Sequence, residues 1–180
     1  MKYISMLRGI NVSGQKMIKM AELKLLYEVQ GFENVVTYIQ SGNVIFNSDV
    51  MAMSELTSRI EKAIAIEYGF AVPVVIRTHK EFKNIIEACP FADIDLEKDG
   101  TKVLVAFLSS SPDKAKVDAL IMHVHSPELL VINDKEVYLY CPNGYGKSKL
   151  SNNFIESKLG QVATTRNWKS VLKLYDLSMG

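Results

Sequence analysis

The sequence has few cysteines, prolines and glycines, and it has no long apolar run. It holds 2 cysteines, 5 prolines and 10 glycines in 180 residues. Cys89 and Cys141 lie far apart without a C-x-x-C spacing, which argues against a disulfide framework and a thiolate metal site. No apolar run approaches the ~18 residues of a membrane helix, and residues 1–8 lack a cleavage signal. We therefore expect a soluble, cytoplasmic protein that contacts no membrane.

No charge of one sign dominates. The chain has 21 Lys and Arg against 20 Asp and Glu, with 48% hydrophobic residues. This balance excludes wholesale disorder and a generic polycationic nucleic-acid coat, although local basic patches stay open. The length suits one large or two small domains at ~100–150 residues each.

Hydrophobic periodicity in the first 77 residues predicts the order β-α-β-β-α-β. The strands are predicted at 3–7, 35–40, 44–47 and 72–77. The first helix is predicted from residue 20, with Gly31 as its stop, and the second contains Leu56, Ile60 and Ile64 and ends near Gly69.

The same order recurs after a connecting segment. A third helix is predicted to start at the capping box Thr78 to Glu81 and to stop at Pro90, followed by an acidic linker at 91–100. The remaining elements are strands at 102–108, 129–133, 136–141 and 162–164, with helices from 112, near 149–159, and around Trp168. The predicted fold class is α+β: two ferredoxin-like (βαββαβ) subdomains in tandem at 1–77 and 101–180, with extra helices and a connection at 78–100.

This topology predicts two polar clusters at sheet edges. In a ferredoxin-like unit the first two strands run parallel, so the loop after the first strand and the turn after the second emerge together. The first cluster consists of Arg8, Asn11, Lys16, Gln40, Ser41 and Asn43. The second, at the opposite edge of the second unit, consists of Lys147, Ser148, Lys149, Thr165, Arg166 and Asn167.

Each cluster combines basic, amide and hydroxyl side chains with glycines and a helix N-terminus, which is typical of a phosphate or carboxylate site. A structural interpretation competes with this one. Asn, Ser and Gly are ordinary turn residues, Ser148 and Asn167 would be N-caps, and Arg166 would brace a neighbouring carboxylate. The sequence leaves both interpretations open.

Several partial motifs predict no cofactor and no metal. Residues 9–14 resemble G-x-G-x-x-G, but Asn11 replaces the middle glycine that lets the backbone approach a pyrophosphate. Residues 141–148 match G-x-x-x-x-G-K-[ST] except for Cys141 at the first glycine, and no later strand ends in an Asp that would hold magnesium. His123 and His125 lack the i, i+4 spacing of two metal ligands on a helix.

Three segments in combination resemble a known family: L-R-G-I-N-V at 7–12, Q-S-G-N-V at 40–44 and A-T-T-R-N-W at 163–168. They are similar to the domain-of-unknown-function 1697 family of uncharacterised bacterial proteins. The resemblance implies a two-unit α+β fold of small cytoplasmic proteins, with no established activity, cofactor or partner. The signature segments fall on the two predicted polar edges, which we therefore expect to be the working surface.

Three functional hypotheses follow. The leading one is binding of a phosphorylated small molecule, such as a nucleotide, or of a nucleic-acid backbone, because basic and amide groups occur together without a general base. The second is a small phosphate or acyl-phosphate hydrolase in which Arg8 and Asn43 cradle the phosphoryl group, by analogy with the ferredoxin-like acylphosphatases. The third is an interaction module, including a homo-oligomer, that pairs through its sheet or the third helix.

Overall fold

The structure is a computed structural model that describes residues 1–49, 52–91 and 93–180. The chain divides into two compact units, Met1–Lys83 with Leu174–Gly180, and Asn84–Lys173. Each unit contains one four-stranded antiparallel sheet. The predicted α+β class, with two ferredoxin-like arrangements in tandem, is confirmed.

The first unit follows the predicted order of elements. These are β1 Lys2–Leu7, α1 Met20–Val29, β2 Glu33–Tyr38, β3 Asn43–Asn47, α2 Met53–Tyr68 and β4 Val74–Thr78. The strand order is β2-β3-β1-β4, and each neighbouring pair is antiparallel. The strands β1 and β2 are consequently parallel to each other, with β3 between them.

One face of this sheet packs against α1 and α2. Strand alternation directs Tyr3 and Phe46 to that face, where Leu23 and Tyr27 of α1 and Ile60 of α2 meet them. The aromatic rings of Tyr27 and Phe46 lie edge to face with centroids 5.4 Å apart, a geometry that adds to the apolar burial. The helix α2 ends at Gly69, as predicted, in the left-handed conformation at φ +74°.

The rest of the chain repeats the plan and adds three helices. The elements are α3 His79–Glu87, α4 Leu96–Asp99, β5 Val103–Leu108, α5 Lys114–Ile121, β6 Leu129–Asn133, β7 Glu136–Tyr140, α6 Asn152–Leu159, β8 Ala163–Asn167 and α7 Trp168–Met179. Of these, α3 and α7 each have residues in both units. The strand order is β6-β7-β5-β8, equivalent to that of the first sheet. The predicted capping box is present at α3, where Thr78 Oγ1 accepts from the Glu81 N–H and Glu81 Oε2 accepts from the Thr78 N–H.

Several predicted boundaries differ from the structure, and three of them concern segments that are discussed further. The stretch 91–100, of which residue 92 lies outside the described residues, contains the helix α4, because the Asp95 carboxylate caps the N–H groups of Glu97 and Lys98. The helix α6 starts at Asn152 instead of residue 149, since Ser151 is its N-cap. The last strand extends to Asn167 through its pairing with β5. None of the helices in the described part of the chain has the length and hydrophobicity of a membrane span.

Candidate functional site

The first predicted cluster lies where β1 and β2 end and β3 and β4 begin. We call residues 8–18, 39–43 and 71–73 the loop edge. Backbone hydrogen bonds hold its parts together: the Leu7 N–H donates to Gly42 O at 2.8 Å, and the Arg8 N–H donates to Pro73 O at 2.9 Å. The parallel direction of β1 and β2 therefore brings the long loop after β1 next to the hairpin turn after β2.

Asn11 joins the long loop to the hairpin turn. Its Nδ2 donates to Gln40 O at 2.8 Å and to Ile18 O at 2.9 Å, and its Oδ1 accepts from the Ile18 N–H at 2.8 Å. The backbone of Asn11 is left-handed, with φ +55°, a conformation in which asparagine is several-fold enriched. The structure therefore brings together Asn11 and Gln40, which are distant in sequence.

The basic residues of the first cluster lie on the same edge. Lys16 is half-buried, and its Nζ donates to Ala71 O at 2.7 Å. Arg8 and Ser41 are also half-buried, whereas Gln40 is exposed. The loop edge contains Arg8 and Lys16 and no Asp or Glu in its sequence. Its own side chains therefore carry two formal positive charges.

Asn43 lies in the interior of the loop edge. Its side chain is fully buried, and its Nδ2 donates to Tyr38 O at 2.9 Å and to Ser41 Oγ at 3.1 Å. The amide of Asn43 therefore holds the hairpin turn from inside. The neighbouring Gly42 is left-handed at φ +76°, and a Cβ there would lie 2.5 Å from Ile10 Cδ1, so only glycine lets the turn approach the loop.

Sequence reasoning missed an apolar component of the loop edge. Val12, Met17 and Ile39 are all exposed there. Ile39 has φ +50°, a genuine outlier for a β-branched residue. The available signal was the presence of these apolar residues in segments that otherwise read as polar loops.

The second cluster contains both exposed lysines and a buried arginine. Arg166 lies buried in β8, where its Nη1 donates to Thr164 Oγ1 at 2.8 Å and to Thr165 O at 2.9 Å. Burial lowers the pKa of Arg166 to about 10. Asn167 caps α7, because its Oδ1 accepts from the Ser170 N–H at 2.9 Å. The N-cap role predicted as one alternative for Asn167 is thus present, whereas these hydrogen bonds of Arg166 go to a hydroxyl and a backbone carbonyl instead of a carboxylate.

Two residues outside the prediction link the second polar loop to β8. Tyr145 donates its hydroxyl to Thr165 Oγ1 at 3.4 Å, and Thr165 donates to Asn152 Oδ1 at 2.9 Å. Asn152 Nδ2 in turn donates to Ala163 O at 2.7 Å. Sequence reasoning missed Tyr145 and Asn152, although both fall within or just after the polar segment that it had singled out.

The basic side chains of this loop are exposed, and its backbone is not that of a phosphate-binding loop. Lys147 and Lys149 are exposed, and Ser148 Oγ accepts from the Leu150 N–H at 3.0 Å. The predicted N-cap role of Ser148 is wrong, since Ser151 caps α6. A nucleotide-triphosphatase loop would run directly into a helix N-terminus, but a 3-10 turn at Tyr145–Lys147 lies here instead.

Neither titratable clusters nor the histidine pair indicates a metal centre. Among the described residues, no group of three or more His, Cys, Asp and Glu side chains is arranged to hold a metal ion. The ring of His123 packs edge to face on Phe154 with centroids 5.3 Å apart. Burial raises the pKa of the Cys141 thiol, which is the opposite of what an activated thiolate needs.

Comparisons with known proteins agree with this fold and assign no activity. A family model described as "Protein of unknown function (DUF1697)" matches residues 1–138, a range that includes the first two signature segments. No curated protein matches the chain significantly. A solved structure of a conserved bacterial protein from Streptococcus pneumoniae is similar, with a TM-score of 0.77 and 24% sequence identity over 98% of this chain and 97% of that one. At that identity the likeness concerns the fold.

Proposed function

We propose that this chain, which belongs to the protein family of unknown function DUF1697, binds a phosphorylated ligand at the loop edge of its first unit. The observation that carries the proposal is the hydrogen bond of 2.8 Å from Asn11 Nδ2 to Gln40 O. It fixes the loop that contains Arg8 and Lys16 against the exposed amide of Gln40. Cationic and amide donors on adjoining loops are the groups that recognise phosphate oxygens.

The charge of the loop edge supports an anionic ligand. Residues 8–18, 39–43 and 71–73 contain Arg8 and Lys16 and no Asp or Glu. Arginine offers a planar fork of donors to a phosphate, and lysine adds a point charge. Asn11 and Asn43 hold the loops with their amides, and we propose Arg8, Lys16, Gln40 and Ser41 as the residues that contact the ligand.

The apolar residues of the edge favour a nucleotide over inorganic phosphate. Val12, Met17 and Ile39 are exposed on the same loops as the basic residues. Binding sites typically combine apolar walls with a few placed polar groups. A nucleotide would present its base to these side chains and its phosphates to Arg8 and Lys16.

The hydrolase hypothesis receives no support from this geometry. It requires the Asn43 amide to face a phosphoryl group and orient water, as the acylphosphatase analogy implies. The side chain of Asn43 is fully buried and donates to Tyr38 O and Ser41 Oγ within its own hairpin. Binding without hydrolysis is the function that these contacts favour.

Calorimetric titration tests the proposal with mononucleotides, dinucleotides, short single-stranded oligonucleotides and orthophosphate. We expect the wild type to bind a nucleotide more tightly than orthophosphate. We expect Arg8→Gln to weaken binding about tenfold or more, because a hydrogen bond to a charged group contributes roughly 1.5–3 kcal/mol. Lys62→Gln is the matched control, since it removes one exposed cation from α2 of the same unit.

Two results would overturn the proposal. One is no binding by the wild type at millimolar ligand. The other is equal affinity of the wild type and Arg8→Gln, with the folded state of both verified by circular dichroism. A preference for oligonucleotides with a steep dependence on salt would identify the ligand as a nucleic-acid backbone.

A further inference from the structure

A second surface of the first unit has no part in the loop edge. It is a groove between α1 and α2 with a volume of about 320 Å³. The core stripe of α1 consists of Leu23, Leu26 and Tyr27, but Leu25 and Val29 form another apolar pair at i, i+4 that faces the groove. These two side chains are 60% and 82% exposed, and Ile66 of α2, across the groove, is 85% exposed.

The charged groups that line the groove are negative. Glu22 and Glu67 line it, and none of the described residues that line it is Lys or Arg. Lys19 Nζ lies 3.2 Å from Glu22 Oε1, but both side chains are substantially exposed. Such surface ion pairs contribute little free energy, so a cation of a partner can replace Lys19. An apolar surface bordered by two carboxylates is complementary to a partner that is apolar and basic.

Tyr68 lines the groove together with Glu22 and Glu67. Burial, and then the charges of Glu22 and Glu67, raise the pKa of the Tyr68 hydroxyl. The hydroxyl is buried and has no hydrogen-bond partner among the described residues. A buried polar group without a partner is rare in native proteins, and its position in the wall of the groove is consistent with a site that is completed by another molecule.

The walls of the groove are fixed before any partner arrives. The Arg59 guanidinium of α2 donates to the backbone and side-chain oxygens of Gln30, at the end of α1. The same guanidinium lies 5.0 Å from the centre of the Phe32 ring. These contacts tie α1 to α2, so a partner meets a preformed surface and does not have to order it.

We propose that this groove binds an amphipathic helix of a partner protein. Aliphatic side chains of that helix, spaced i, i+3 or i+4, pack on Leu25, Val29 and Ile66, and a lysine or arginine reaches Glu22 and Glu67. A symmetric pairing of two copies would set these carboxylates against each other, which argues against a second copy of this chain. The same negative charge argues against an anionic lipid surface.

A display selection on the full chain tests this proposal. The library consists of amphipathic helices of about 16 residues, roughly four turns, with a fixed apolar face and randomised charged positions. The selection uses the wild-type chain alone, so that binding to the Ile66→Ser variant is measured independently afterwards. We expect enriched helices to be basic and to lose affinity roughly tenfold or more with Ile66→Ser, and also with Glu67→Lys, as hot-spot positions do.

Met122→Ser is the matched control, because Met122 is 80% exposed on a surface outside this groove. It should leave binding unchanged, and circular dichroism should show that all variants are folded. The proposal is overturned if no helix is enriched, if the enriched helices are acidic, or if they bind Ile66→Ser as well as the wild type. Sedimentation that shows dimers abolished by Ile66→Ser would also overturn it, because the occupant would then be a second copy.

Discussion

Replacing Asn11 should release the long loop of the loop edge from the hairpin turn. The Asn11 side chain makes three hydrogen bonds, two to Ile18 and one to Gln40 O, at 2.8–2.9 Å. The alanine and glycine variants lose the same three bonds. They differ in the backbone, because position 11 has φ +55°, where a Cβ is unfavourable and glycine is not.

The expected magnitudes follow from these contacts. A hydrogen bond contributes about 0.5–1.5 kcal/mol net, and the bond to Gln40 O is exposed, so we take it at the lower end. The three bonds together then amount to roughly 2 kcal/mol. Alanine adds about 1 kcal/mol of left-handed strain. Asn11→Ala should therefore lower the free energy of unfolding by about 3 kcal/mol, and Asn11→Gly by about 2 kcal/mol.

Equilibrium unfolding in urea, followed by circular dichroism, measures these differences as shifts of the midpoint at constant slope. Ser13→Gly is the control, because Ser13 is exposed in the same loop at φ +50°; glycine there should be neutral or slightly stabilising. The reasoning fails if both Asn11 variants lie within about 0.5 kcal/mol of the wild type, the usual range of an inert surface substitution. It also fails if Asn11→Ala is the more stable of the two.

Two further predictions concern the packing of the first unit. Gly42→Ala should lower the free energy of unfolding by about 2–4 kcal/mol in the same urea assay, because the new Cβ would overlap Ile10 and Leu7 at φ +76°; an unchanged midpoint would contradict this. Tyr27→Phe should cost about 1 kcal/mol at about pH 7, since it removes the hydrogen bond with Ser5 Oγ. Burial raises the pKa of Tyr27 above its ordinary value of 10.0, so the stability it contributes is complete below about pH 10 and is lost as the pH rises further. Thermal melts between about pH 9 and pH 12 should therefore decline less steeply for Tyr27→Phe, and parallel curves would refute the assignment.

The order of elements and the meeting of the two loops were predictable from the sequence. Apolar spacing indicated each helix of the first unit, and the glycine after Tyr68 marked the end of α2. The parallel direction of the first two strands then placed Asn11 near Gln40. These inferences depend on periodicity and connectivity alone, which is why they needed no side-chain detail.

The direction of individual side chains was not predictable in the same way. Asn43 is the first residue of β3, and a shift of one residue in register would turn it from the interior to the solvent. The last strand was predicted to end at residue 164, which placed Arg166 in a polar edge cluster, whereas β8 continues to Asn167 and Arg166 is buried opposite Val105. Polar composition indicates exposure only on average, and hydrogen bonds within the strand override it here.

The buried Arg166 has an equivalent in the first unit. Arg77 is the fourth residue of β4 and lies opposite Ile4, as Arg166 is the fourth residue of β8 and lies opposite Val105. Each guanidinium donates from Nη1 to the carbonyl of the preceding residue at 2.9 Å. Each strand also ends on a residue, Thr78 or Asn167, that caps the following helix. The two units thus have an equivalent arginine, with the same hydrogen bond, at the same position in the strand pairing.

This equivalence separates two roles among the signature residues. An arginine kept buried at matching positions of both sheets is accounted for by its hydrogen bonds within each sheet, because a buried charge is costly unless it is hydrogen-bonded. Arg8 has a different setting: it follows β1 on a loop that carries no carboxylate and adjoins an exposed amide. The buried arginines therefore belong to the architecture that the two units share, whereas Arg8 and Lys16 are the cations that we propose for ligand recognition at the loop edge.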